Sequence, residues 1–135
     1  MNIAQALQHY RFHSRTGCVE ELLNAVGLDR TPLSVERLAP LDQFHSGGLA
    51  ATIELASELK LLADDRVLDI GSGLGGPSHY VAATYGCSVD GVDLSPSLVE
   101  AANLLAEKTL LSPRVRYTRA DALSLPFESN AFDVV

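Results

Sequence analysis

The chain has 135 residues, of which 47% are hydrophobic, and its formal net charge at pH 7 is −7. These values predict one folded domain and exclude an acidic disordered polymer. The negative charge argues against nucleic acid and anionic membrane surfaces as partners, because both attract clustered Lys and Arg. No apolar run is long enough to span a membrane, and no secretory signal is evident. Cys18 and Cys87 lack C-x-x-C spacing, so we expect both thiols to be reduced in a cytoplasmic protein.

Helix and loop signals precede the first predicted strand. Helical periodicity or composition predicts helices at 3–11, 18–26 and 48–62, and two prolines followed by HSGG predict a loop at 29–47. We expect residues 1–47 to form a cap or lid of N-terminal helices and loop.

Strands and helices alternate in the remainder of the chain. Strands are predicted at 66–71, 87–94 and 114–121, helices at 77–85 and 97–111, the latter after the N-cap pair Ser95-Pro96, and the start of a fourth strand at 132–135. This alternation predicts an α/β fold with a Rossmann-like parallel sheet and right-handed crossovers. Because the sequence stops inside an apolar fourth strand, we expect residues 48–135 to be the front portion of a longer domain.

A glycine-rich loop joins the first predicted strand to the helix that follows. Gly71, Gly73 and Gly76 form G-x-G-x-x-G at the carboxyl end of the strand, where open α/β sheets bind ligands. Asp69, two residues before the first glycine, would repel the pyrophosphate of a dinucleotide. The same carboxylate suits the sulfonium and ammonium groups of S-adenosylmethionine. Asp69 therefore favours S-adenosylmethionine, with NAD as an alternative.

Two more acids follow the next two predicted strands. Asp93 closes the second strand, where its carboxylate can accept hydrogen bonds from both hydroxyls of a ribose, whereas its competitor Asp90 lies mid-strand. Asp121 follows the third strand and can accept from an adenine amine, while the backbone N–H of Ala122 can donate to a ring nitrogen. The structural alternatives are a charge at a helix N-terminus for Asp93 and a turn for Asp121.

The segments VLDIGSGLGG, VDGVDLS and RADALSLPF with FDVV resemble successive motifs of the class I S-adenosylmethionine-dependent methyltransferases. LDQFHSGGLAAT resembles the lead-in of small-molecule enzymes related to the ubiquinone/menaquinone, tocopherol and sarcosine/dimethylglycine methyltransferases. The resemblance covers roughly residues 41–135 and implies methyl transfer from S-adenosylmethionine to a small-molecule acceptor. It implies that Asp69, Gly71, Ser72, Gly73 and Gly75 line the methionine side, Asp93 and Leu94 hold the ribose, Asp121 and Ala122 hold the adenine, and Gln43 and His45 close over the cofactor.

The resemblance assigns no catalytic residue, and the sequence predicts no metal site. His9 and His13 have helical i, i+4 spacing but no acid or cysteine nearby, and His79 is expected to be structural. No G-x-S-x-G elbow and no Walker lysine appear, which disfavours hydrolases and P-loop enzymes. The alternative to an enzyme is a non-catalytic module that associates through the exposed edge of its fourth strand.

Overall fold

A computed structural model describes residues 16–135, with side chains from residue 19 onward. The helix predicted at 3–11 lies outside the described residues. The helices are α1 (Thr16–Ala25), α2 (Val35–Asp42), α3 (Gly48–Glu58), α4 (Gly76–Tyr85) and α5 (Pro96–Lys108), and the strands are β1 (Arg66–Ile70), β2 (Ser88–Asp93) and β3 (Val115–Arg119). In this range, no helix is long and apolar enough to cross a membrane.

The strands form a parallel sheet in the order β1-β2-β3. Beyond β3 the chain returns to β1, where Val134 forms a parallel bridge with Val67. Leu68 N donates to Val134 O at 2.9 Å, on the side of β1 that does not face β2. The predicted α/β fold with a parallel sheet is therefore confirmed, and the segment predicted as the fourth strand begins to pair with β1.

One face of the sheet packs against helices α4 and α5. The row Val67, Val89 and Val115 crosses the three strands in register. These valines share a buried cluster with small and branched helix residues, namely Val81, Ala82, Ala102 and Ala106. Because side chains alternate between the two faces of a strand, Asp90 lies on the opposite face. There its carboxylate contacts Arg66 at 3.5 Å and Arg116 at 3.2 Å.

Helices α1 and α2 pack through a second buried cluster, in which every buried member is leucine. Its buried members are Leu22, Leu23, Leu28, Leu33, Leu38, Leu41 and Leu105. Leu105 belongs to α5, so this cluster attaches α1 and α2 to the α/β unit. The division of the chain at residue 47 stays a prediction.

The predicted loop at 29–47 is wrong, because α2 occupies its centre. Ser34 starts this helix as the N-cap, and its Oγ accepts from Arg37 N at 3.3 Å. Pro40 lies inside the helix, where it lacks an N–H donor, but it is exposed to solvent. Leu38 and Leu41 are buried on the opposite side. Burial of these leucines offsets the local cost of the proline.

Candidate cofactor site at the carboxyl ends of the strands

The glycine loop lies where the strand order reverses. β1 pairs with β2 on one side and with the later segment at Val134 on the other, so the order of strands along the sheet reverses at β1. Ligands of open α/β sheets bind in the crevice at such a switch point, outside the carboxyl ends of the strands. The loop between β1 and α4 is therefore at the position that this sheet offers for a ligand.

Hydrogen bonds from the end of β2 hold the glycine loop. Gly71 N and Ser72 N donate to Val92 O at 2.8 and 3.0 Å. Gly73 N donates to the Asp93 carboxylate at 3.0 Å. The loop is therefore shaped by the neighbouring strand as well as by its own sequence.

The loop glycines serve two different purposes. Gly71 and Gly73 have φ of 77° and 56°, and a Cβ built on either would meet no atom within 4 Å. Their backbone therefore borders open space that a ligand can enter. At Gly75, a Cβ would lie 2.1 Å from the Tyr117 hydroxyl oxygen, so the missing side chain makes room for Tyr117. The predicted role of Gly75 at the methionine side stays a prediction.

Asp69 lies near the end of β1 on the helix-packed face of the sheet. Its Oδ2 accepts from Ser78 Oγ at 2.6 Å, which ties β1 to α4. Burial raises the pKa of Asp69 above its usual value, the Ser78 hydrogen bond lowers it, and the nearby Asp93 carboxylate raises it. His79 and His45 lower the same pKa, so both rings lie close enough to act on Asp69. The negative charge of Asp69 is therefore only partly compensated by its neighbours.

Asp93 uses both of its carboxylate oxygens to organise the site. Oδ2 accepts from Gly73 N at 3.0 Å, and Oδ1 accepts from Ser95 N at 2.9 Å, just before α5. The ribose role and the helix N-terminal role predicted from the sequence are compatible, because an ionised carboxylate offers about four lone-pair sites. Asp90 is engaged by two arginines on the opposite face, away from the loop.

The residues predicted to hold the adenine, together with Leu94 from the predicted ribose pair, are exposed beside the ends of β2 and β3. Leu94 is 65% exposed, and its carbonyl accepts from Arg119 Nε at 3.3 Å. Asp121 Oδ1 accepts from Leu123 N at 2.9 Å, which is the turn arrangement considered as the structural alternative. Asp121 and Ala122 are both exposed. Their roles toward a cofactor stay predictions.

Gln43 and His45 belong to a polar cluster that joins the end of α2 to α3. Gln43 is buried, and its Oε1 accepts from Thr52 Oγ1 at 2.7 Å and from His45 Nε2 at 3.0 Å. Within the described part of the chain, Gln43 Nε2 has no hydrogen-bond partner. Sequence reasoning missed Thr52, whose only signal was its place on the buried side of α3.

Sequence reasoning also missed the buried polar contacts below the loop. His79 Nδ1 lies 3.0 Å from Asp42 Oδ2, and Tyr117 Oη donates to Gly75 O at 3.1 Å. The expectation that His79 is structural agrees with its complete burial. No group of His, Cys, Asp and Glu among the described residues could hold a metal ion.

A family model described as a methyltransferase domain matches residues 67–135, just over half of the chain. The match includes β1 from its second residue, the glycine loop, β2, β3 and the segment that returns to β1. The chain belongs to the methyltransferase domain family.

Individual relatives and solved structures agree with this family. The phosphoethanolamine N-methyltransferase of Plasmodium falciparum (isolate 3D7) is 37% identical over 90 residues, which is 67% of this chain and 33% of that relative. A solved geranyl diphosphate methyltransferase in complex with SAM has a TM-score of 0.57 and 31% identity, covering 58% of this chain and 32% of that chain.

The similarity also extends to a protein named for another reaction. The solved [4+2]-cyclase SpnF has a TM-score of 0.59 and 36% identity, covering 68% of this chain and 35% of that chain. The chain spans about a third of the length of the phosphoethanolamine enzyme and of each of these two structures. Family membership is therefore shown, and the reaction of the whole protein is a matter for proposal.

Proposed function

We propose that this chain binds S-adenosylmethionine at the carboxyl ends of β1, β2 and β3 and serves methyl transfer to a small-molecule acceptor. The observation that carries the proposal is the placement of acids around the open glycine loop. Asp69 and Asp93 lie on adjacent parallel strands, and Asp121 follows the next strand. This arrangement suits a cofactor that has a cationic end, a ribose and an adenine.

Asp69 is the residue that favours a cationic ligand. Burial raises its pKa, so the surrounding protein destabilises the ionised form. A bound ammonium or sulfonium group would compensate that charge. A pyrophosphate at the same place would add a second anion beside Asp69 and Asp93. The electrostatics therefore support S-adenosylmethionine over NAD.

Asp93 is proposed to accept hydrogen bonds from the ribose hydroxyls while it holds Gly73 N. Leu94 is 65% exposed next to it and can cover the ribose or the base.

Asp121 and Ala122 are proposed to contact the adenine edge. The exposed His45 and its partner Gln43 are proposed to close over the methionine end. Ser72 and the open faces of Gly71 and Gly73 would line the same end.

When bound, S-adenosylmethionine supplies a sulfonium whose methyl group is already activated toward nucleophiles. The chain's own contribution is to hold that methyl in line with the acceptor and to exclude water, which is catalysis by proximity and alignment. We assign no general base. The acceptors that name the relatives, phosphoethanolamine and geranyl diphosphate, support a small molecule as the acceptor class.

The test is a thermal unfolding experiment on this chain with S-adenosylhomocysteine or NAD at equal concentrations. A ligand that binds only the folded state raises the melting temperature according to its concentration relative to Kd. We expect S-adenosylhomocysteine to raise the melting temperature and NAD to leave it unchanged. A shift with NAD alone would contradict the proposal.

A second candidate function is a self-associating, non-catalytic module. Beyond β3, the returning segment bonds to β1 through the backbone of Asp133 and Val134, and its other edge pairs with no strand among the described residues. Strand edges of this kind promote association. A melting temperature that neither ligand raises, together with a dimeric mass in light scattering, would favour this function.

We also propose a cytoplasmic location. The thiol of Cys87 is free and buried, which is typical of proteins in a reducing compartment.

A further inference from the structure

Below the glycine loop lies a pair of buried polar side chains that the proposed cofactor contacts do not include. His79 Nδ1 lies 3.0 Å from Asp42 Oδ2, and both side chains are completely shielded from solvent. Asp42 is the last residue of α2, and His79 lies in the first turn of α4. The pair therefore joins the helices before the sheet to the helix that follows the glycine loop.

Stability is a weak explanation for this pair. Burying a carboxylate and an imidazole costs desolvation energy, and apolar side chains of similar volume are often equally stabilising. Asp42 Oδ1 and His79 Nε2 also find no hydrogen-bond partner among the described residues. The role of the pair is therefore better explained by the elements that it holds in place.

The backbone of α2 touches the backbone of α4 at this point. A Cβ built on Gly76 would lie 2.5 Å from Asp42 O and 2.9 Å from Asp42 Oδ1. Only a residue without a side chain permits this approach. The Asp42–His79 hydrogen bond is directional, so it fixes the register of the two helices at their closest contact.

His79 also contacts the elements that hold the Gly75 carbonyl. Its backbone N–H donates to Gly75 O at 2.8 Å, and Tyr117 Oη donates to the same oxygen at 3.1 Å. The rings of His79 and Tyr117 meet edge to face, with centroids 5.6 Å apart. Burial raises the pKa of Tyr117 well above its usual value, with smaller raising effects from Asp69 and Asp42, so the phenol keeps the proton that it donates.

We propose that Asp42 and His79 are positioning residues that hold the Gly75 carbonyl, and through it the turn from Gly71 to Gly75, in the conformation that accepts the cofactor. This inference rests on the proposed function, because the ligand concerned is the S-adenosyl cofactor. It makes α2 a part of the cofactor site through two side chains that are shielded from solvent.

The test measures S-adenosylhomocysteine affinity and the urea midpoint of unfolding for four variants of this chain. His79→Leu removes the hydrogen bond, and Asp42→Asn removes the charge at nearly constant volume. His79→Asn keeps an N–H donor near the position of Nδ1. Leu61→Ala is the control, because it opens a cavity in the buried cluster between the sheet and its helices, and that cluster has no member between residues 71 and 79.

We expect His79→Leu and Asp42→Asn to weaken binding about tenfold, which lies within the usual range of coupling between two sites of a protein. His79→Asn should recover most of that affinity. Leu61→Ala should lower the urea midpoint and leave Kd unchanged. Unchanged affinity in both His79→Leu and Asp42→Asn would overturn the proposal, and so would an equal loss of affinity in Leu61→Ala.

Amide hydrogen exchange in the ligand-free chain separates this proposal from the proposed function. If wild type does not bind S-adenosylhomocysteine, the proposed function fails, but the pair is still tested at the amide of residue 79, which donates to Gly75 O. Faster exchange there in His79→Leu or Asp42→Asn than in Leu61→Ala supports the positioning role. Equal exchange in all three variants overturns it.

Discussion

At the residue scale, the two acids on β1 and β2 differ in how the structure satisfies their charge. Asp93 accepts two backbone N–H groups, at Gly73 and Ser95. Asp69 accepts one hydroxyl, from Ser78, and burial raises its pKa. A site that leaves one carboxylate partly uncompensated loses stability when it is empty and gains affinity for a cation. Asp69 is therefore the residue at which binding and stability oppose each other.

Asp69→Asn should stabilise the ligand-free chain and weaken cofactor binding. Because the pKa of Asp69 is raised on folding, its contribution to stability is present below the unfolded-state pKa of about 3.9 and is lost as pH rises through the folded-state pKa. The variant should therefore unfold at higher urea than wild type at pH 7 and at the same urea near pH 3. Urea unfolding at both pH values measures the difference.

The matched control is Asp90→Asn, which removes a carboxylate from the opposite face of the same sheet, where two arginines already compensate it. It should not stabilise the chain at pH 7. A wild type more stable than Asp69→Asn at pH 7 would show that the ionised carboxylate is fully compensated in the empty site, contrary to our account.

At the scale of elements, the loop between β1 and α4 combines an open half and a packed half. The Cα positions of Gly71 and Gly73 border free space, whereas Gly75 and the following residue are in contact with Tyr117 and α2. Positive φ occurs in both halves, at Gly71 and Gly73 in the open half and at Gly75 in the packed half. The open half is placed to receive the ligand, and the packed half anchors the loop to β3 and to the helices before the sheet.

Alanine substitutions should separate these two halves. Gly71→Ala introduces only left-handed strain, about 1–2 kcal/mol, and should also weaken S-adenosylhomocysteine binding because its side chain enters the open space. Gly75→Ala adds overlap with the Tyr117 hydroxyl and should cost about 3 kcal/mol or more. The free energy of unfolding in urea measures both.

A double-mutant cycle checks the reason for the larger effect. In a Tyr117→Leu background, Gly75→Ala should cost less than in wild type, because the phenol ring that overlaps the new Cβ is gone. Equal costs in both backgrounds would mean that the overlap with Tyr117 is not the cause.

At the scale of the whole molecule, the sequence predicted the strands, the glycine loop and α4 and α5 because their signals are local. Alternating apolar runs, Pro77 at a helix start and Gly86 at a helix end are readable within a few residues. The helix α2 was missed because Pro40 argues against it locally, while the packing of Leu38 and Leu41 that favours it is tertiary.

The same division applies to the candidate site. Asp69, Asp93 and the glycines stand at recognisable positions in the strand-loop pattern, so the sequence predicted them. The pairing of Asp42 with His79, and of Tyr117 with Gly75, joins residues 37 and 42 positions apart. No spacing rule connects residues at such distances, because their contact depends on how three elements pack. The supporting layer of the site therefore needed the structure.

The measurement that tests the central claim most directly is a calorimetric titration of S-adenosylhomocysteine into this chain, into Asp93→Ala and into Asp90→Ala. Both variants remove a carboxylate from β2, but only Asp93 faces the glycine loop. Circular dichroism would first establish that each variant is folded. We predict saturable binding in the micromolar range for wild type and Asp90→Ala, and its loss in Asp93→Ala. Wild-type affinity in a folded Asp93→Ala, or no saturable binding to wild type, would contradict the account.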